Sequence, residues 1–399
     1  MSHQAKPQRV RVEAEAVSFP LRDLLLYFLR LGTLGFGGPI ALAGYMQRDL
    51  VERRRWVSRS DYLEALAFSQ LSPGPLAAQL AMYIGWLRAG FIGTTAVGMA
   101  FVLPSFVMAV IVAALYVHFG SLPWIQGMFY GIGAAVIAII VRSAIKLART
   151  TLSNDWILWV IFGVLAITTA WSQSEIVWLF ILSGFGAMFI KAPPALSGHN
   201  QSVVFFTGLN PLWSGIYGTA SAATVGGLFL FFLKSGAFVF GSGLAIVPFL
   251  YGGVVAKFHW LTEQQFIDAV AVAMITPGPV VITAAFIGYL VAGTFGAILA
   301  AFAVFSPPYF IILLGAPYYR RFAQNQQVKC FVQGVTAAAV GAIAGAAYIL
   351  ARRSIIDLTT VFIGVAALAV LMLTRKIPEP ILILLAGVVG LVLHGRFTR

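Results

Sequence analysis

The chain has 399 residues, 60% of them hydrophobic and 10% charged, with a mean hydropathy of +0.91; soluble domains carry roughly 25% charged residues, so this composition excludes a water-exposed shell and reads as an all-α polytopic membrane protein. At about 20 residues per crossing the length accommodates roughly 10 to 13 hydrophobic helices, broken or re-entrant ones included, which excludes single-span receptors and barrels. The net charge of +13 sits in short clusters between apolar runs, where it sets orientation and offers no nucleic-acid face, while lone Cys330 and five dispersed histidines leave no disulfide and no metal-ligand spacing.

Residues 1–22 form a polar, basic tail without a cleavable signal, read as cytoplasmic. The first hydrophobic segment, 24–46, is interrupted by Gly32, Gly35, Gly37, Gly38 and Pro39, and the second, 62–87, by Ser72-Pro73-Gly74-Pro75. Uninterrupted spans follow at 91–117, 122–141, 156–171 and 176–190, completing a first repeat over 23–191. A linker rich in Pro, Gly, Asn and Ser occupies 192–215. The second repeat, 216–399, opens with 228–251, broken by Gly236, Gly241 and Gly243, and 266–291, cut by Thr276-Pro277-Gly278-Pro279; spans at 332–350, 356–373 and 381–393 close it.

One offset of 204 residues relates Phe28 to Phe232, Gly32 to Gly236, Trp56 to Trp260, and Pro73-Gly74-Pro75 to Pro277-Gly278-Pro279. Beyond it the offset becomes 203, with Gly85 on Gly288 and Pro104 on Pro307. The charges show how the halves are related. Loops near Gly120 and Ser172 lack Lys and Arg, whereas their counterparts carry Arg320, Arg321 and Lys329, and Arg375 and Lys376. Conversely, Arg48, Arg53, Arg54, Arg55 and Arg59 crowd a loop whose counterpart holds only Lys257. Sidedness has switched, which implies an inverted repeat with the arginine loop cytoplasmic. Arg142, Lys146 and Arg149 against Arg352 and Arg353 are positive in both halves and do not fit. An inverted repeat also needs either an extra crossing near 216–233 or re-entrant broken segments, and the sequence leaves both open.

Phe36-Gly37-Gly38-Pro39, the arginine-rich loop ending at Trp56, and Gln70-Leu71-Ser72-Pro73-Gly74-Pro75 resemble the chromate ion transporter family. The resemblance extends over nearly the whole chain, and with both halves present the chain is similar to the long, two-domain members. It implies a multi-pass protein of the bacterial inner membrane that exports chromate and confers resistance. The second half departs from the pattern, with Ser242-Gly243 in place of Gly38-Pro39 and Met274-Ile275-Thr276 in place of Gln70-Leu71-Ser72.

The residues themselves also suit an oxyanion. A helix broken inside a membrane exposes unpaired backbone N–H groups, and each new N-terminus carries about half a positive charge. Proline fits a first helical turn, glycine admits a close ligand, and repeat-related broken helices mark transporter sites. The candidate binding residues are therefore Gly37, Gly38, Gln70, Ser72, Pro73 and Gly74 with Gly241, Ser242, Thr276, Pro277 and Gly278. Packed proline kinks are the plainer alternative. Arg30 and Lys234, also 204 apart within apolar sequence, could neutralise a divalent tetrahedral anion or instead snorkel to headgroups. Glu64 and Asp268, the acidic pair at the repeat offset, are candidates for proton coupling, against a reading as first-turn helix carboxylates.

The expected function is secondary transport of chromate out of the cytoplasm, with sulfate or another oxyanion, or a passive anion channel, as alternatives. No Gly-Lys dipeptide exists for a phosphate-binding loop, and no redox fingerprint supports a reductase. No cofactor is implied. The partners are the oxyanion and membrane lipid, and self-association is left open.

Overall fold

The computed structural model describes residues 19–36, 38–120, 122–172, 177–193, 222–239, 243, 246–319, 325–374 and 377–397. Most of the tail and of the linker, together with Gly37, Gly241, Ser242, Arg320, Arg321, Arg375 and Lys376, lies outside the described residues.

Among the described residues all regular structure is helical, in fourteen α-helices that repeat one order twice. The first half contains α1 (Leu21–Leu34), α2 (Gly38–Met46, continued by a π-turn at Gln47–Arg53), α3 (Arg59–Leu71), α4 (Leu76–Phe119), α5 (Pro123–Leu152), α6 (Trp156–Ser172) and α7 (Val177–Lys191). The second contains α8 (Ala222–Ala237), α9 (Ile246–Leu250, with a π-turn at Tyr251–Lys257), α10 (Glu263–Ile275), α11 (Thr283–Gly315, entered by a 3-10 turn at Val280–Ile282), α12 (Gln326–Ser354), α13 (Leu358–Leu373) and α14 (Glu379–Phe397). The interruptions divide the segments: 24–46 becomes α1 and α2, and 62–87 is shared between α3 and the first limb of α4.

The interrupted segments are hairpins. At 13 residues each, α3 and α10 are about 20 Å long, short of a hydrocarbon core of about 30 Å. Ser58 caps α3 by accepting from the Asp61 N–H, and Thr262 forms a capping box with Gln265 on α10. The chain turns back at the Pro-Gly-Pro and runs beside α3, where Tyr83 donates to Glu64 at 2.9 Å. It reverses again at Ala89-Gly90, where helical dihedrals are lost and Gly93 lies against Gly85. The second half repeats this at Ala292-Gly293, with Gly296 against Gly288. At the open end of the first pair of hairpins Phe19 stacks on Trp56 (4.7 Å), Arg88 donates twice to the Phe19 carbonyl (2.9 and 2.6 Å), and Arg54 lies over Trp56 (4.4 Å). Among the described residues the broken segments thus fold back on themselves, the geometry that the re-entrant alternative requires.

Helices α4, α5, α11 with its flanking turns, and α12 are long and apolar enough to cross a membrane. Each of α5 and α12 outruns its apolar span, because Arg, Lys and Gln continue a helix as readily as Leu does. The last two helices of each half pack against the fifth helix of the other: α6 and α7 on α12, α13 and α14 on α5. Small residues allow this exchange. Gly131 of α5 sits against the Ala386 carbonyl of α14, and Gly334 of α12 sits against the Ser183 carbonyl of α7, each 203 residues from its equivalent.

Equivalent long helices run in opposite directions. Thr95, early in the outgoing limb of α4, hydrogen-bonds Tyr309, late in α11, at 2.7 Å. A two-fold that reverses spanning helices lies in the membrane plane, the relation of an inverted repeat. Of the charges that resisted this pattern, two are held in ion pairs: Arg142 reaches Glu379 across the halves (3.6 Å), and Arg353 pairs with Glu263. They stand on helices, not in free loops.

Candidate functional site

The tips of the four hairpins meet where the halves cross. Gly74 donates its N–H to the Val239 carbonyl (2.5 Å), and Gly278 donates to the Gly35 carbonyl (3.0 Å). Both glycines hold positive φ, +139° and +101°. A Cβ on Gly74 would come within 2.6 Å of Pro308 and Gln79, and one on Gly278 would collide with Ser105. Glycine is required at both tips by conformation and by contact.

These bonds engage amides that sequence reasoning offered to a ligand. The hydroxyls beside them are also engaged: Ser72 donates to the Phe68 carbonyl (2.8 Å) and Thr276 to the Val272 carbonyl (2.7 Å). Three other amides remain at the start of α4. Leu76, Ala77 and Ala78 have no carbonyl of their own helix to bond, and no side chain caps that end. All three are buried.

Gln79, which sequence reasoning passed over, is fully buried at this helix start. Its Nε2 donates to Pro73 O (2.7 Å) and Ser72 Oγ (3.1 Å), while Oε1 has no partner. A proline carbonyl can only accept, so the amide is oriented with nitrogen toward Pro73. Its counterpart is Thr283, whose hydroxyl is engaged with the Val280 carbonyl (2.7 Å). The signal was present in the sequence: a polar residue at the same place after both Pro-Gly-Pro breaks.

The other candidates are placed apart from the tips. Arg30 on α1 and Lys234 on α8 are exposed at equivalent positions, and among the described residues no ion pair occupies them. Gln70 is exposed at the end of α3, and Pro73, Gly38 and Gly278 are half-buried. Pro277 is buried. Gly37, Gly241 and Ser242 lie outside the described residues.

The acidic pair differs in setting. Asp268 is buried, accepting from Tyr116 of the other half (2.7 Å) and from Gln264 (2.9 Å). Glu64 is half-buried, with the Tyr83 bond inside its own half. Tyr319, 203 residues after Tyr116, packs edge-on against Phe68, one turn from Glu64 (5.1 Å). Each carboxylate-bearing hairpin therefore meets the tyrosine that ends the long helix of the other half. Two shallow apolar grooves, of 370 Å³ beside Phe310 and Leu314 and 270 Å³ between α6 and α7, do not reach the tips.

Comparison with known proteins agrees with this two-fold plan. The Chromate transporter family matches residues 22–189 and again 226–391. A chromate transport protein of Cupriavidus metallidurans is 52% identical over 95% of this chain and 94% of its own length. A probable chromate transport protein of Synechococcus elongatus is 52% identical over 95% of this chain and 97% of its own. A chromate transport protein of Pseudomonas aeruginosa is 29% identical over 94% of each. No solved structure matches.

Proposed function

Because the chain belongs to the chromate transporter family, we propose that it is a secondary transporter that exports chromate from the cytoplasm across a bacterial inner membrane. Chromate as the substrate follows the names of the relatives that match nearly end to end. The observation that carries the mechanism is the reciprocal bonding of the tips, Gly74 to Val239 and Gly278 to Gly35.

In this reading the oxyanion binds at the crossing of the tips, where buried helix starts supply N–H groups and positive potential. Arg30 and Lys234 attract it from the approaches on the two hairpin pairs. Because the repeats are inverted, parting the tips of one half opens a path to one side, and parting those of the other opens the opposite side. Glu64 and Asp268 couple this exchange to protons, each from its place between a hairpin and a tyrosine of the other half.

The test is uptake of labelled chromate and sulfate into inverted membrane vesicles, with and without a pH gradient. Chromate accumulation that depends on the gradient is expected. Sulfate accumulation without chromate would replace the substrate, and flux that follows only the anion's own gradient would make the protein a channel.

A further inference from the structure

The fully buried Gln79 presents an unpartnered carbonyl oxygen at the same helix start that presents the Leu76, Ala77 and Ala78 amides. An anion bound there meets both the amide donors and this lone acceptor. A fully deprotonated oxyanion offers nothing to that acceptor, and its oxygens are repelled by it. A monoprotonated oxyanion satisfies both, its bare oxygens accepting from the amides and its hydroxyl donating to Gln79 Oε1. We propose that Gln79 selects the protonated form of the substrate, so that the species bound is hydrogen chromate.

This deepens the chromate reading above and rests on it. Chromate takes up a proton near neutral pH, whereas sulfate does so only in strong acid. Shape and charge separate the two dianions poorly, but a hydroxyl separates them well, because a site built to bond an O–H rejects an analogue that lacks one. The neighbouring groups do not supply the missing donor. Glu64 and Asp268 accept from tyrosines, and Tyr309 is bonded to Thr95. Arg30 and Lys234 are exposed on α1 and α8, whereas Gln79 is fully buried. The second half has no equivalent, since Thr283 stands where Gln79 does and its hydroxyl is spent on its own helix. The selecting site is single and belongs to the first half.

The experiment measures chromate and sulfate affinities of the purified full-length protein across the pH range in which chromate protonates. In the wild type the ratio of chromate to sulfate affinity is expected to rise as pH falls. Nearby carboxylates, Glu64 and Asp268 foremost, bear harder on dianionic sulfate than on a monoanion, so a proton taken up by either lowers this ratio and cannot produce the expected rise. Gln79→Met, of similar length but without the acceptor, is expected to lose about tenfold or more in chromate affinity and the pH dependence of the ratio, with sulfate affinity unchanged or higher. A wild-type ratio that stays flat with pH overturns the inference whether or not the variant folds. So does equal loss of both anions in Gln79→Met, which would mark the residue as a support for Pro73 alone. Binding of sulfate without chromate at every pH would instead remove the chromate reading, and this inference with it.

Discussion

Gly74 donates its backbone N–H to the carbonyl of Val239, 2.5 Å away in the other half of the chain. The repeat returns the bond from Gly278 to Gly35. Each is worth only about 0.5 to 1.5 kcal/mol net, so the pair closes the crossing firmly enough to define it and weakly enough to be exchanged. Any motion that admits an ion between the tips must break one or both.

The tips should tolerate no side chain. Gly74→Leu is expected to abolish transport while the protein is still inserted, since the new side chain meets Pro308 and Gln79 and the backbone holds φ at +139°. Gly278→Ala should lose flux as well, because its Cβ collides with Ser105. Vesicle flux normalised to inserted protein measures both; normal flux in Gly74→Leu would remove the tips from the site.

The two cations should matter for binding, but moderately. Arg30 and Lys234 are exposed, so their attraction for the anion is weakened by water. Arg30→Gln and Lys234→Gln are each expected to lower chromate affinity about fivefold, and Arg30→Lys to keep part of it because the charge remains without the forked geometry. Isothermal titration of purified variants reads this. Unchanged affinity in both Gln variants would assign the pair to headgroup contact.

The buried carboxylate should govern coupling more than binding. Tyr116→Phe leaves Asp268 with its Gln264 bond alone, and Asp268→Asn removes the charge. Both are expected to shift the pH profile of flux in proteoliposomes while chromate affinity at fixed pH changes less than about threefold. A wild-type pH profile in Asp268→Asn would exclude it from proton transfer.

Equivalent positions should label from opposite sides. Arg55 and His259, 204 residues apart, are both exposed and share an unusual positive φ of 55° and 52°. In a background with buried Cys330 replaced, Arg55→Cys is expected to react with an impermeant thiol reagent from the cytoplasmic face and His259→Cys from the other. Reaction of both from one side would make the repeats parallel.

The sequence by itself determined the membrane class, the two-fold repeat and the four breaks, because these are local. Apolar runs report their solvent, and Pro and Gly end helices wherever they stand, so the interruptions at Ser72–Pro75 and Thr276–Pro279 could be read residue by residue. Switched loop charges also indicated the inversion, although Arg142 and Arg353, which pair with Glu379 and Glu263, did not follow the pattern. Only the tertiary structure decided how the halves interlock. Gly131 meeting Ala386, Gly334 meeting Ser183 and Tyr116 meeting Asp268 join residues some 150 to 255 positions apart, and no local pattern encodes which distant surface fills a given groove. The same holds for the site. Amides that looked free at Gly74 and Gly278 are consumed across the interface, and Gln79, unremarkable in an apolar run, is left with a bare acceptor, because hydrogen-bond satisfaction is settled by whatever folds against a group and not by its neighbours in the chain.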